Sequence, residues 1–354
     1  MKPKVSILWL NFNSYSFQEI VIESLQAVKD LEYPNYELII VDNGSIDSSI
    51  NSIRDFVEKS NIQHKIIQLD QNLGYTGGNN IGYHARDQAS KYLVLLNNDA
   101  VPKRDSLSQL VDFMEKDASL GAAQGVITNY DGRSIDTAGD FLTELLDACP
   151  LLEGKDPLSL RKSVYITSAD GAYSIYRIEF IQRMTCQTGN LFDEYLFAYY
   201  DDYLLGLRLW NNGFKVKGFP LITARHRRGT SFSELKQSRK IYLWMRNRII
   251  LNELSNNRYK ILIRLLFLRG LFVYFFKNFL NMRFISKNTS VPRAFIDGIR
   301  MVGDARKSTG EIDIYSAPIL RITPLRAIHA ILTRPRSIQT DRTIQKELET
   351  IAGS

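Results

Sequence analysis

The first hundred residues alternate between short apolar runs and longer amphipathic segments. The apolar runs predict four strands, at Val5–Asn11, Tyr36–Asp42, Lys65–Asp70 and Tyr92–Asn97. Between them apolar residues recur at helical spacing, as they do from Ile20 to Val28. Because strands that alternate with helices build parallel sheets covered on both faces, the pattern predicts an α/β domain whose mostly parallel central sheet is flanked by helices.

Polar side chains stand where each of these strands ends. The carboxyl ends of parallel strands meet at one edge of a sheet, and ligands bind outside that edge. We therefore expect a binding crevice formed by these residues: Asn11, Asn13, Asp42, Asn43, Asp70, and Asn97 to Asp99.

The fourth strand delivers amide and carboxylate oxygens at its tip, in Asn97, Asn98 and Asp99. Mg²⁺ and Mn²⁺ prefer oxygen ligands and are often shared with a substrate phosphate, so these residues are candidates for a metal site. A simple turn explains the same residues, because Asn and Asp side chains bond to nearby backbone groups.

Two further segments are candidates for binding a nucleotide. Asp42 and Asn43 are suited to a ribose hydroxyl or a base amide, although a turn followed by a helix cap explains them equally well. Residues 72–82 (NLGYTGGNNIG) predict a glycine-rich loop whose backbone approaches a phosphate, with a ligand-free flexible loop as the alternative. The glycine spacing matches neither the Walker loop nor the dinucleotide fingerprint.

Taken in order, VSILWLNFNS, ELIIVDNGS, NLGYTGGNNIG and YLVLLNNDA resemble the nucleotide-sugar-binding half of family 2 glycosyltransferases. The resemblance implies a GT-A domain over residues 1–235, with a donor half to about residue 100 and an acceptor half after it. It implies donor contacts from Asn11, Asn13, Asp42, Asn43, Gly74, Gly77, Gly78, Asn79 and Asn98.

The same resemblance assigns a divalent metal, Mn²⁺ or Mg²⁺, to the acidic motif after the fourth strand. That motif reads Asn97-Asn98-Asp99 here, so only Asp99 supplies a charged ligand for a metal on the diphosphate of a UDP-, dTDP- or GDP-sugar. The family also places a His before Gly and Ser or Thr, which His226, Gly229, Thr230 and Ser231 match, so His226 is expected to complete the metal shell or contact the diphosphate. A packing role for this His is the alternative.

Two later motifs complete the resemblance. Asp170, Gly171 and Ala172 match the acceptor-side segment, and a simple turn is their alternative reading. Asp201 and Asp202 match the family's acidic pair, whose carboxylate acts as general base; as a plain alternative, two carboxylates stabilise a helix N-terminus. Asp201 occupies the first position of the family's motif and is slightly favoured as the base, but the sequence does not decide between Asp201 and Asp202.

These motifs predict an inverting glycosyltransferase acting on a glycan or polyprenyl-linked acceptor. A carboxylate takes the proton of the attacking hydroxyl, and a metal neutralises the charge on the leaving diphosphate. Two alternatives remain open: a nucleotidyltransferase, although the first strand lacks the usual glycine-rich basic loop after it, and a non-catalytic scaffold derived from the same fold.

The cysteine count and the net charge indicate the cellular compartment and the class of partner. The chain has two cysteines in 354 residues, so no disulfide framework is expected, and the first strand begins too early to leave room for a signal peptide. Both features favour the cytoplasm. The net charge of +7 comes with no helix-turn-helix, zinc-finger or aromatic RNA-binding signature, so nucleic acid is not expected as a partner.

Residues 236–354 are expected to form a helical C-terminal region. Acidic residues thin out between Glu253 and Asp297, where Leu, Ile and Phe are interrupted by Lys and Arg too often for a spanning helix. Two readings remain: a helix pair packed on the catalytic domain, or a surface that contacts the headgroups of anionic lipids. We favour the second, which would place the protein peripherally on the inner face of the cell membrane.

Overall fold

The computed structural model describes residues 2–184, 189–229, 237–280, 290–332 and 342–353. The strands are β1 (Val5–Asn11), β2 (Tyr36–Asp42), β3 (His64–Gln68), β4 (Tyr92–Asn97), β5 (Ala100–Pro102), β6 (Leu120–Asn129), β7 (Ile135–Thr137), β8 (Asp140–Leu142), β9 (Ala148–Pro150), β10 (Val164–Tyr165), β11 (Tyr173–Arg177) and β12 (Lys215–His226). The helices are α1 (Gln18–Lys29), α2 (Ser49–Glu58), α3 (Gly74–Ala85), α4 (Ser106–Lys116), α5 (Ile178–Met184), α6 (Asp201–Asn211), α7 (Gln237–Leu254), α8 (Lys260–Leu280), α9 (Ser290–Thr309), α10 (Pro324–Leu332) and α11 (Arg342–Ala352). The predicted domain boundary near residue 235, and the matches at Thr230 and Ser231, lie outside the described residues.

The first four strands form the predicted parallel half of the sheet, in the order β4-β1-β2-β3. Successive residues of a strand point to opposite faces, and here both faces are covered. Ile7 and Trp9 of β1 pack into one core with α1, α2 and α4, whereas Leu8 between them packs into the other core with α3. This double burial explains why the strand is almost continuously apolar.

The second half of the sheet is mixed. β11 pairs antiparallel with both β4 and β6, and β12 then runs parallel to β6. Three short strands complete the sheet: β5 and β10 pair with β12, and β7 pairs with β6. The expectation of a mostly parallel sheet therefore holds for the half formed by β1 to β4 and not for the second half.

The glycine-rich segment is a helix rather than the expected loop. Gly74 begins α3, and three further glycines lie within it. A Cβ added at Gly78 would lie 2.5 Å from Leu10 Cδ1, and one added at Gly82 would lie 3.2 Å from Leu8 Cδ2. These glycines allow α3 to approach β1 closely, so helix–sheet packing accounts for the composition that indicated a loop.

The C-terminal helices pack on the sheet domain and on each other, with α7 against α9 and α8 against α10. Glu144 is fully buried in the sheet domain and accepts hydrogen bonds from the side chains of Arg258 and Arg321 and from the backbone N–H of Ile322. These bonds hold the C-terminal region against the sheet domain. None of the helices that the structure describes combines the length and the hydropathy needed to cross a lipid bilayer.

Candidate active site

The register between β5 and β12 brings Asp99 and His226 together. Ala100 pairs with His226, and the Arg227 N–H donates to the Asp99 carbonyl at 3.0 Å. As a result Asp99 Oδ1 lies 3.1 Å from His226 Nε2, and both side chains are buried. Two residues far apart in sequence thus meet because a three-residue strand follows the acidic motif directly.

Asp136 on β7 holds the other side of the imidazole. Its Oδ2 lies 2.9 Å from His226 Nδ1. Burial alone would lower the pKa of His226, but the hydrogen bonds to Asp136 and Asp99 outweigh it and raise the pKa to about 10. The ring is therefore a cation between two carboxylates in the absence of a competing ion.

Asp99 and His226 fit part of a divalent metal site. In octahedral coordination at about 2.0–2.1 Å, neighbouring ligand atoms lie about 3 Å apart, close to the 3.1 Å between Asp99 Oδ1 and His226 Nε2. Asp136 holds the second ring nitrogen, as carboxylates do behind metal-binding imidazoles. Within the described ranges no group of three or more His, Cys, Asp or Glu side chains is arranged for a metal, so further ligands would come from a substrate and water.

The acidic pair opens α6 as expected. Tyr200 before it has a left-handed backbone (φ 66°), and the first turn of the helix contains Asp201 and Asp202. Burial, followed by the charge of Asp170, raises the pKa of Asp201 to about 7. Burial and the neighbouring Asp201 hold the pKa of Asp202 well above its usual range.

One cavity of about 340 Å³ joins these two groups of residues. Its volume is at the lower end of the range for small-molecule sites. Asp99 and His226 form one part of its lining, and Asp201 and Asp202 another. The remaining polar or aromatic lining residues are Tyr75, Asn97, Asp140, Asp170, Tyr199, Tyr200, Tyr203, Arg228, Lys240 and Trp244.

The cavity concentrates negative charge that its own cations only partly balance. Burial and the charge of Asp170 raise the pKa of Asp140 well above its usual range. Arg228 is the bridging cation: its Nε lies 2.7 Å from Asp136 and its Nη2 lies 3.4 Å from Asp170. One oxygen of Asp202, Oδ1, is buried and has no hydrogen-bond partner among the described residues. An unsatisfied carboxylate oxygen in a cavity is suited to accept a hydrogen bond from a bound hydroxyl.

Comparison with known proteins assigns the first half of the chain to a family. The model of glycosyl transferase family 2 matches residues 6–178, which include β1 to β4 and the turn carrying Asp99. Residues 6–178 belong to glycosyl transferase family 2.

Relatives of the family 2 segment include enzymes of polysaccharide assembly. Poly-beta-1,6-N-acetyl-D-glucosamine synthase of Staphylococcus epidermidis is 32% identical over 111 residues, which are 31% of this chain and 26% of the synthase. The putative teichuronic acid biosynthesis glycosyltransferase TuaG of Bacillus subtilis is 26% identical over 137 residues, 38% of this chain and 52% of TuaG. The chain thus spans about a quarter to a half of these relatives.

Solved structures identify the fold as GT-A. Residues 1–349 of S. aureus TarS, in complex with UDP-GlcNAc, superpose with a TM-score of 0.52 at 17% identity, covering 84% of this chain and 81% of that one. GalNAc-T7 with UDP, GalNAc and Mn²⁺ gives a TM-score of 0.57 at 14% identity, covering 74% and 49%. The expected fold class, including C-terminal helices, is confirmed.

The predicted donor residues lie at the carboxyl ends of β1, β2 and β4 and in α3, outside the cavity lining. Asn11 donates to Asp42 Oδ1 at 2.8 Å, and Asn43 donates to the Gly74 carbonyl at 2.9 Å. Asn13 lies just after β1, and Asn98 lies just after β4 and donates to Asn11. The remaining predicted residues lie within α3: Gly77, Gly78 and Asn79. Their contacts with a donor remain a prediction.

The predicted acceptor-side residues do line the cavity. The Ala172 N–H donates to Asp170 Oδ1 at 2.8 Å, which is the turn that the alternative reading predicted. Tyr75 donates to the Gly171 carbonyl, and a Cβ on Gly171 would lie 2.2 Å from that hydroxyl. Glycine is required at this position to make room for Tyr75.

The sequence interpretation missed several polar or aromatic residues of the site, among them Tyr75, Asp136, Asp140, Tyr203, Lys240 and Trp244. Asp136 and Asp140 belong to short strands with no usable periodicity, so nothing marked them as site residues. Lys240 and Trp244 come from α7, in the region treated as separate from the catalytic domain.

Proposed function

We propose that this protein is an inverting glycosyltransferase that moves a sugar from a nucleotide-diphosphate sugar to a hydroxyl of a glycan or lipid-linked acceptor. The observation that carries the proposal is the shared cavity, with a candidate metal site in one part of its lining and buried carboxylates in another. Family membership of residues 6–178 supports the same reaction class.

Donor binding is assigned to the Asp99 side of the cavity. Asp99 and His226 would hold Mn²⁺ or Mg²⁺, which when bound neutralises charge on the leaving diphosphate. Arg228 lies close enough to add a second positive charge on the same side. UDP-GlcNAc in the TarS structure, and UDP with Mn²⁺ in the GalNAc-T7 structure, support a metal-assisted nucleotide-sugar donor.

The acidic pair supplies the base. As the acceptor oxygen forms its bond to the anomeric carbon, its proton passes to Asp201 or Asp202, and the bond to the diphosphate breaks with its electron pair leaving on the nucleotide. A general base works best when its pKa lies near the working pH, which favours Asp201. A single displacement of this kind inverts the anomeric centre.

A panel of nucleotide sugars with Mn²⁺ or Mg²⁺ tests this proposal. UDP-GlcNAc, dTDP-rhamnose and GDP-mannose are incubated with the protein, and free nucleoside diphosphate is measured. Release of diphosphate supports the transferase. Release of pyrophosphate from a nucleoside triphosphate and a sugar phosphate would instead indicate a nucleotidyltransferase, and no turnover of either kind would indicate a scaffold.

The membrane contact expected for the C-terminal region is proposed for one face of α8. Its large exposed apolar side chains recur at spacings of three or four and form a stripe: Ile261, Leu265, Leu268, Phe272, Phe275 and Phe276. At about 100° per residue, Arg264 and Arg269 fall about 70° to either side of its centre. α8 has no acidic residue. Arg264 pairs with Glu253, and Arg269 is the flanking cation assigned to lipid. Anionic lipid matches this surface, because the apolar stripe can enter the headgroup region while Arg269 reaches phosphates.

Vesicle sedimentation tests the α8 stripe. The protein should sediment with phosphatidylglycerol vesicles more than with phosphatidylcholine vesicles, and added salt should weaken the binding. The triple variant L268S/F272S/F275S should lose most of it. The matched control I46S/L158S changes exposed apolar residues elsewhere and should keep it. Equal sedimentation of both variants would refute the proposal, as would a stripe-dependent dimer that does not bind vesicles.

A further inference from the structure

The segment from Leu196 to Tyr200, which leads directly into the acidic pair, has an unusual backbone. Three of its residues are not glycine and yet have positive φ: Phe197 at 63°, Tyr199 at 69° and Tyr200 at 66°. The Ala198 N–H donates to the Leu196 carbonyl at 2.7 Å, which closes a γ-turn of the rare kind centred on positive φ. Such conformations persist only where the surrounding structure holds them.

Asn247 on α7 holds this segment. Its Nδ2 lies 3.0 Å from the Leu196 carbonyl oxygen, 2.8 Å from that of Ala198 and 2.7 Å from that of Tyr199. The side chain is fully buried, and its Oδ1 accepts from Arg246 Nε at 2.9 Å. One amide group thus contacts three carbonyls of the turn.

Arg246 extends the same contact toward the start of the segment. Its Nη2 lies 2.8 Å from the Tyr195 carbonyl oxygen and 2.6 Å from that of Leu196. Two adjacent residues of α7 therefore bind the carbonyls of four residues that precede the acidic pair.

The opposite side of the segment rests on the start of α3. The Thr76 N–H donates to the Phe197 carbonyl at 3.2 Å. A Cβ on Gly74 would lie 2.4 Å from that carbonyl oxygen, so this glycine lets the turn sit against the helix. The segment is held between α3 and α7.

Tyr199 connects this support to the chemistry. Its carbonyl accepts from Asn247, and its N–H donates to the Asp201 carboxylate. We propose that Asn247 is a positioning residue that fixes the acidic pair in the cavity through the backbone of Tyr199. This inference rests on the proposed function, and it gives α7 a role in the reaction as well as in packing.

The variant N247L tests the proposal, because Leu has a similar volume and no donor. With the donor that the wild-type protein turns over in the panel, turnover should fall about 10²-fold, as expected for a misplacement of about 1 Å. The KM for the donor should stay within about twofold, because Asp99 and His226 are untouched. The matched control N252L removes another buried amide of α7 that does not contact the segment, and it should retain turnover.

Non-additivity distinguishes positioning from general destabilisation. The double variants N247L/D201N and N247L/D202N are compared with the single Asp variants. If Asn247 acts through the base, one double variant should be no slower than its single Asp variant. Independent multiplication of the two losses in both double variants would overturn the proposal.

Hydrogen exchange separates this inference from the proposed function, since it needs no substrate. In N247L the amides of Thr76, Ala198 and Tyr199 should exchange faster than in the wild-type protein and in N252L. The milder N247S, which keeps one donor, covers the case in which N247L does not fold. Unchanged exchange at these amides in a folded variant would refute the positioning role, even if the wild-type protein turned over no donor.

Discussion

Two clusters of polar residues lie at the same edge of the sheet and differ in how well their hydrogen bonds are satisfied. In the first, Asn11 and Asp42 bond to each other, and Asp42 also accepts from Ser45 at 2.5 Å. In the second, Asp201 and Asp202 line a cavity, and both have raised pKa values. Asp202 Oδ1 has no hydrogen-bond partner among the described residues.

This difference indicates which cluster stabilises the fold and which is arranged for chemistry. Buried polar groups that are fully bonded add specificity at little cost, whereas buried carboxylates that repel one another destabilise the folded state. Buried carboxyl groups with raised pKa values that line a cavity are typical of an active site. The comparison therefore predicts loss of activity from changes in one cluster and loss of stability from changes in the other.

The largest expected effect is on turnover. D201N and D202N should differ, with the base variant losing about 10²-fold or more in turnover while keeping its affinity for the donor. Steady-state kinetics with the donor found in the panel measure this. The control D105N makes the same change at the start of α4, away from the cavity, and should keep the turnover and the donor affinity of the wild-type protein. Equal and mild losses in D201N and D202N would contradict the base assignment.

The next effect is on metal-dependent donor affinity. D99A should remove most of the stabilisation that UDP with Mn²⁺ gives in a thermal-shift titration, because it removes a ligand. D136N should weaken the same affinity about 10–100-fold, because it frees the imidazole of His226. In EDTA, neither variant should differ from the wild-type protein in UDP affinity. Unchanged affinity with the metal present would remove Asp99 from the metal site.

A smaller effect tests the satisfied cluster. N11A leaves the Asp42 carboxylate short of a donor and should lower the free energy of unfolding by about 1–3 kcal/mol in a urea titration. The exposed N51A on α2 should change it by less than about 0.5 kcal/mol. Should N11A instead leave stability intact and weaken donor binding, Asn11 would belong to the binding site and the comparison would fail.

The smallest effect is on the pH dependence of stability. A carboxylic acid whose folded-state pKa is raised holds its proton longer in the folded protein, so its contribution to stability is lost as pH rises. For Asp201 this loss of stability occurs between about pH 3.8 and about pH 7. D201N removes this ionising carboxyl group and should raise the thermal midpoint at pH 8 by about 2–4 °C, with less change at pH 5. An equal shift at both pH values would contradict this origin.

The parallel half of the sheet could be predicted closely from the sequence. β1, β2 and β4 have the predicted bounds, and β3 runs from His64 to Gln68 where Lys65–Asp70 was expected. These elements carry their own signal, since strands buried on both faces are continuous apolar runs.

The site was only partly predictable, because its residues come from segments that carry no periodic signal. Asp99, His226, Asp201 and Asp202 were recognised through motifs, but Asp136 sits in a three-residue strand. Glycine composition indicated a loop where α3 forms, because close packing on β1 selects glycine as strongly as phosphate binding does.

The sequence by itself determined the order of the first four strands, the family and the motif residues, because each is encoded in a short stretch of chain. Only the tertiary structure decided that Asp99 meets His226, that both share a cavity with Asp201 and Asp202, and that Asn247 holds the turn before the acidic pair. Those contacts join residues 48 to 127 positions apart. They depend on strand register and helix packing, which no local pattern specifies.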